Sequence, residues 1–245
     1  MSNVTGPGRL ANQIIRNKAL SVLAEKFDLE ITYQNYDIIH NRLGINLYVG
    51  KNKYTSDIQI TDSNYRQYWK NIETISSNIQ CSSGGYQGSD VKENIQELMT
   101  LEKESVIAKN PFRDRYKNNN DLFIHIRLGD SVRQCPPIDY FEKCINQLQY
   151  DKIYIGSDEL KHPLIVELCE KYPTETSLVE KDLIETIQFG STCKNVIISQ
   201  GTYSAIIGIM SFYSDVFYPD KAYLEKGTTC NYWWIESESW LKVEP

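Results

Sequence analysis

The chain carries 245 residues, with 26 Lys and Arg against 32 Asp and Glu and a formal net charge of −6. That balance leaves no broad basic surface for nucleic acid, and the lack of any run of about 18 apolar residues argues against a membrane span. At 41% apolar content a full core is expected, in one large domain or two small ones.

The N-terminus lacks the charged start and apolar middle of a signal peptide, so a soluble, cytoplasmic protein is expected. The six cysteines (Cys81, Cys135, Cys144, Cys169, Cys193 and Cys230) are scattered, with no Cys-x-x-Cys pair. Free thiols in a reducing compartment are expected rather than a zinc site or a disulfide framework.

In chain order, a short strand is predicted at about 3–5, followed by a Gly6-Pro7-Gly8 turn and a helix from Leu10 to about Phe27. Leu10, Ile14, Leu20, Leu23, Ala24 and Phe27 recur there at helical spacing. Residues 29–33 read as the next strand. From 35 to 87, short apolar pieces such as 45–49 and 58–60 alternate with polar turns. A helix is predicted over 91–109, closed by Pro111. Lys117-Asn118-Asn119-Asn120-Asp121 is a polar turn cluster, and it sets the predicted domain boundary: 1–118 and 119–245.

Beyond that boundary the alternation is clean. Strands are predicted at 122–128, 152–156, near 177–179, at 195–199 and at 216–218. Helices are predicted at 139–148, 160–171, 182–192 and 203–212, and a Trp-rich tail ends the chain. Such alternation means parallel βαβ units with helices on both faces of a sheet.

The most informative segment is Phe123-Ile124-His125-Ile126-Arg127-Leu128-Gly129-Asp130. It reads as a doubly covered strand ending in an arginine and breaking at a glycine. Ligands bind at the carboxyl ends of strands in open α/β sheets, and a guanidinium there presents a planar fork suited to phosphate. A structural Arg127–Asp130 pair is the competing reading. His125 and Arg127 share a face of the strand through its period of two. Ser199, Thr202, Tyr203 and Ser204 lie at a strand-to-helix turn, where free amides favour a diphosphate. Asp158 follows a strand and either caps the next helix or accepts from a ligand. Gly6-Pro7-Gly8-Arg9-Leu10-Ala11 also fits the dinucleotide fingerprint of an NAD(P)-dependent oxidoreductase. Against that stand the short preceding strand, the proline between the glycines and a second strand with no acid at its end.

Gly8-Arg9-Leu10-Ala11-Asn12-Gln13 and the mid-chain His-x-Arg-x-Gly-Asp together resemble the fucosyltransferase superfamily, most of all the α1,2-fucosyltransferases of glycosyltransferase family 11. There the two motifs read Gly-Arg-Leu-Gly-Asn-Gln and His-x-Arg-Arg-Gly-Asp. Tyr154-Ile155-Gly156-Ser157-Asp158-Glu159 is similar to the family's strand ending in Ser-Asp. Ile198-Ser199-Gln200-Gly201-Thr202-Tyr203-Ser204 is similar to its late Ser/Thr-rich turn before a helix.

The resemblance implies an α/β, GT-B-like fold: two Rossmann-like domains with parallel sheets facing a cleft. The first domain would lie on the acceptor side, and the second would bind the nucleotide. It implies an inverting transfer of L-fucose from GDP-fucose to a glycan hydroxyl. Arg127 would hold the β-phosphate and stabilise the leaving diphosphate in place of a metal ion. His125, Arg9, Asn12, Gln13, Ser199, Thr202, Tyr203 and Ser204 would contact the donor, and Asp158 would accept from the guanine edge. No Asp-x-Asp motif is present, so no metal and no cofactor are expected, only a sugar-nucleotide donor and a glycan acceptor. Asp130, Asp37 and Asp57 are candidate general bases; Trp233, Trp234 and Trp240 either stack on an acceptor sugar or pack the tail. Ala11 and Leu128 depart from the family pattern and leave the donor sugar open. UDP-xylose is one alternative donor, and a non-catalytic nucleotide- or glycan-binding module is another reading. Animal and plant enzymes of this kind are usually Golgi membrane proteins, so a soluble bacterial or viral relative, or a trimmed form, is expected.

Overall fold

The computed structural model describes residues 1–6, 8–70, 75–86, 89–174, 176–223 and 237–245. Pro7, Cys230, Trp233 and Trp234 lie outside the described residues.

The first strand, β1, is short (Ser2–Val4), and it feeds a helix, α1 (Leu10–Lys26). β2 (Ile31–Tyr33), a wide helical turn (Asp37–Arg42), β3 (Asp57–Gln59), α2 (Asp62–Lys70), β4 (Asn78–Cys81), α3 (Ser89–Leu101) and α4 (Lys103–Lys109) follow. The four strands make an all-parallel sheet in the order β2-β1-β4-β3.

α1 is more deeply buried than its apolar spacing predicts. Arg16, Asn17 and Lys18 are buried with its leucines and isoleucines. Buried polar groups need partners, and these have them: Arg16 Nε and Nη1 donate to the Gly84 and Thr5 carbonyls, each at 3.2 Å. Lys18 Nζ donates to the Asn46 carbonyl (2.9 Å) and pairs with Glu102. Glu102 falls between α3 and α4, so the single helix predicted over 91–109 is two. Its second carboxylate oxygen accepts from Asn46 N at 3.0 Å. The short apolar piece at 45–49 is irregular chain, and β4 and α2 had no apolar pattern to announce them.

The second unit opens with an irregular stretch and then β5 (Leu122–Ile126), α5 (Ile138–Asn146), β6 (Ile153–Ser157), α6 (Pro163–Lys171) and β7 (Thr176–Leu178). α7 (Leu183–Gly190), β8 (Asn195–Ile198), α8 (Thr202–Met210), β9 (Asp215–Pro219) and β10 (Leu241–Val243) complete it. The sheet is parallel, in the order β10-β9-β8-β5-β6-β7. Renumbered within the unit this is 3-2-1-4-5-6 read from β7, the doubly wound order whose switch point lies between the first and fourth strands, β5 and β8.

β5 is buried along its whole length. Leu122, Ile124, Ile126 and Leu128 pack with Tyr140, Phe141, Ile145, Ile155 and Ile165, each buried large side chain contributing about 1.5–3 kcal/mol. The tail contributes a strand: β10 extends the sheet beside β9, and the Trp240 ring packs against Gly208 and Tyr218.

The chain divides between Lys109 and Asn110, upstream of the polar cluster that sets the predicted boundary. Residues 110–119 are bonded into the second unit. Asn110 Nδ2 donates to the Gln188 carbonyl (2.8 Å), Arg115 pairs with Asp121 (2.7 Å), and Asn119 Nδ2 donates to the Thr192 carbonyl (3.0 Å). Among the described residues no helix is long and apolar enough to cross a membrane.

Candidate active site

The carboxyl ends of β5 and β8 bring together most of the residues singled out in the second half. β5 runs out at Ile126, and Arg127 follows with its side chain only 14% exposed. Its guanidinium pairs with Asp130 through Nη2 and with Asp158 through Nη1. The backbone then turns at Gly129, whose φ is +34°. A Cβ there would stand 2.5 Å from Asp158 Oδ2, so an alanine would push into the carboxylate that orients the arginine.

Asp158 is therefore not a helix cap. α6 starts at Pro163 and is capped by His162, whose side chain accepts from Leu164 N. The Asp158 carboxylate instead accepts from Leu128 N (2.8 Å) and from Arg127. Leu128 is fully buried in the core of this unit, so its side chain belongs to the packing. Asp130 is 63% exposed.

The turn between β8 and α8 closes the other side. Gly201, at φ +96°, precedes α8, and its Cβ position lies 3.8 Å from Arg127 Cγ. The first amides of a helix have no intrahelical acceptor and carry partial positive charge. The hydroxyls predicted to line this cradle are placed differently from one another. Ser199 and Ser204 are fully buried. Ser199 Oγ accepts from Arg127 N (2.8 Å), while Ser204 Oγ meets His125 Nδ1 (2.6 Å) and donates to the Gln200 carbonyl (3.1 Å). Both hold β5 from behind. The Tyr203 hydroxyl donates to the Leu183 carbonyl (2.5 Å), and its ring stands 4.9 Å from that of His125. Thr202, the first residue of α8, is half-buried.

His125 is buried, and desolvation together with the Arg127 charge pushes its pKa down to about 3. It is neutral at physiological pH. Gln200, which the sequence did not single out, is buried with its Nε2 donating at 3.0 Å to two carbonyls, those of Arg127 and Ser131. A polar residue between a strand and a helix reads as an ordinary turn; only its place between Ser199 and Gly201 hinted at more.

In the first unit, Arg9 is the exposed cap position of α1 and Asn12 is half-buried beside Gly8. Gln13 is buried: its Nε2 donates to the Gly8 carbonyl (2.8 Å), and its oxygen accepts from Asn35 Nδ2. Gly6 has φ +131°, and a Cβ on it would meet Ser82 O at 2.8 Å and Arg16 Nη1 at 3.0 Å. The space beside this glycine is thus filled by the unit's own backbone and arginine. That gives the Gly-x-Gly turn a packing reason without a dinucleotide. Arg16 and Lys18, the basic groups in the middle of α1, are bonded to carbonyls of this unit and, for Lys18, to Glu102. Asp57 begins β3, at the edge of the sheet opposite the strands' carboxyl ends, where a hydrogen bond from Asn78 holds its pKa below the usual range. Asp37 is exposed in the wide helical turn after β2.

Among the described residues no group of three or more His, Cys, Asp or Glu is placed to hold a metal ion. Cys81, Cys135, Cys144, Cys169 and Cys193 are free thiols.

No family model and no curated protein matches the chain. Several solved structures do resemble it. The NodZ α-1,6-fucosyltransferase co-crystallised with GDP matches at 12% identity and a TM-score of 0.43, over 65% of this chain and 59% of that one. The fucosyltransferase NodZ from Bradyrhizobium matches at 11% and 0.37, over 60% and 56%. POFUT1 in complex with GDP matches at 11% and 0.42, over 85% and 94%. The chain thus spans well under two thirds of either NodZ structure, and what those proteins bind is a property of those proteins.

Proposed function

We propose that the chain is a glycosyltransferase that takes a sugar nucleotide, with GDP-fucose as the donor its motifs fit best, and passes the sugar to a glycan hydroxyl. One observation carries the reading: a nearly buried guanidinium at the switch point of a doubly wound sheet, beside the N-terminus of α8. Arginine and helix amides together suit a diphosphate.

In this reading the second unit holds the nucleotide, and Arg127 meets the β-phosphate. The acceptor oxygen attacks the anomeric carbon as the bond to the diphosphate breaks. The electron pair moves onto the β-phosphate oxygen, where the guanidinium neutralises it. Attack from the face opposite the diphosphate inverts the anomeric centre. A general base takes the acceptor proton; Asp130, exposed and beside Arg127, is the assignment we make. Asp158 orients Arg127 rather than reading the base, because both its oxygens already accept from Arg127 and Leu128 N. Arg9, Asn12 and Gln13 carry over as donor contacts from the motif resemblance alone. With Arg127 in that role, transfer persists in EDTA.

A thermal-shift panel with GDP, GDP-fucose, UDP, UDP-xylose and NAD, with and without EDTA, tests the reading, because a ligand of the folded state raises the midpoint. Stabilisation by GDP and GDP-fucose, unchanged by EDTA, is expected. A response to UDP species alone removes fucose but keeps the sugar nucleotide; a response to NAD alone overturns the proposal.

A further inference from the structure

Arg127 is held by more than its two carboxylates. Its peptide group is gripped on both sides by consecutive residues of the β8–α8 turn: Ser199 Oγ accepts from Arg127 N at 2.8 Å, and Gln200 Nε2 donates to Arg127 O at 3.0 Å. The same Gln200 nitrogen donates to Ser131 O at 3.0 Å, in the short 3₁₀ segment Gly129–Gln134 that carries Asp130. One side chain therefore ties together three pieces: the end of β5, the turn bearing Asp130 and the start of α8. Gln200 is only 1% exposed, so it touches no ligand itself.

Its other atom is informative. Gln200 Oε1 is buried with no hydrogen-bond partner. An unpaired buried acceptor costs stability, so an amide here is a poor choice for folding alone. What it supplies is a two-pronged donor that sets the spacing between the Arg127 guanidinium and the amides of α8.

We propose that Gln200 is a positioning residue for phosphate binding: by clamping Arg127 O and Ser131 O it fixes the distance between the two halves of a phosphate clamp, Arg127 and the N-terminus of α8. This rests on the reading of the β5–β8 crevice as a diphosphate site. A positioning role differs from a structural one in acting through Arg127, and a double-mutant cycle measures that dependence.

The test is calorimetric titration of GDP, inorganic pyrophosphate and guanosine into the full chain and into Gln200→Met, Gln200→Glu, Arg127→Ala and Arg127→Ala/Gln200→Met. Both Gln200 variants keep the side-chain length; a methionine cannot donate, and neither can an ionised glutamate. The expected result is a loss of about tenfold in GDP and pyrophosphate affinity, the scale of one well-placed hydrogen bond, with guanosine affinity unchanged. In the Arg127→Ala background Gln200→Met should add less than about twofold, the mark of coupled residues. Equal losses in both backgrounds, a parallel loss of guanosine binding, or unchanged GDP affinity overturns the inference. If Gln200→Met does not fold, Gln200→Glu gives the same comparison with its own Arg127→Ala partner. Wild-type protein that binds neither GDP nor pyrophosphate overturns the site reading, and the inference falls with it.

Discussion

The two units are both built on parallel sheets and use the carboxyl ends of their central strands differently. The first sheet runs β2-β1-β4-β3, with β1 and β4 at its centre; the second is doubly wound, with its switch point between β5 and β8. Beyond the ends of β1 and β4 the arginine, Arg16, is buried and bonded to the Thr5 and Gly84 carbonyls. Beyond the end of β5, Arg127 keeps its charge at the strand end, held between two carboxylates and beside a helix N-terminus. The first arginine stabilises a backbone; the second is poised for an anion. An arginine near a glycine turn is thus no indicator of phosphate binding until its position and partners are known: Arg16 is spent on internal carbonyls, whereas Arg127 stands at a strand end beside the first turn of a helix.

The largest expected effect comes from removing the second arginine. Arg127→Ala should lower GDP affinity by about 100-fold, the scale of a charge-assisted bidentate contact, and abolish transfer, while circular dichroism shows an intact fold. Full activity in the remaining folded protein would make Arg127 structural and erase the contrast.

The first arginine should behave in the opposite way. Arg16→Met removes a buried guanidinium together with its hydrogen bonds to the Thr5 and Gly84 carbonyls and should cost about 2 kcal/mol in urea unfolding, with GDP affinity unchanged in the folded protein. A loss of GDP binding with no loss of stability would show that the first unit also serves the phosphate.

His125 sharpens the comparison through pH. Its folded pKa is about 3, below the ordinary value of about 6.5. Between those values the unfolded chain takes up a proton that the folded chain refuses. Stability is therefore full above about pH 6.5 and falls with acidification, by up to about 1.4 kcal/mol per pH unit. Unfolding at pH 7 and pH 5 should show a slope that His125→Gln flattens. An unchanged slope would mean that His125 is not held neutral behind the site.

The smallest effect is expected at the N-terminus of α7. Asp182 caps α7, accepting from Glu185 N at 2.7 Å. Asp182→Ala should cost about 1 kcal/mol and leave nucleotide binding unaltered.

The second unit was legible in sequence because its strands are long apolar runs set between amphipathic helices, and β5, β6 and β8 fall within a residue or two of their predicted places. The first unit was not. β3 is Asp-Ile-Gln with only its middle residue shielded, and β4 is Asn-Ile-Gln-Cys; neither carries a readable period. β10 lies in a Trp-rich tail and is a strand only because β9 offers it a free edge. At the site, Arg127 and its neighbours were visible from the broken strand. The inward turn of the Ser199, Tyr203 and Ser204 hydroxyls was not, nor was the clamp by Gln200, because a turn's sequence does not say which side of the chain its side chains will face.

The most direct measurement is a crystal structure of the full chain grown with GDP and EDTA. The diphosphate should lie at the carboxyl ends of β5 and β8, with the β-phosphate on the Arg127 guanidinium and against the first amides of α8. Diphosphate density in the glycine turn of the first unit, or a β5–β8 crevice left empty at saturating GDP, would contradict the assignment.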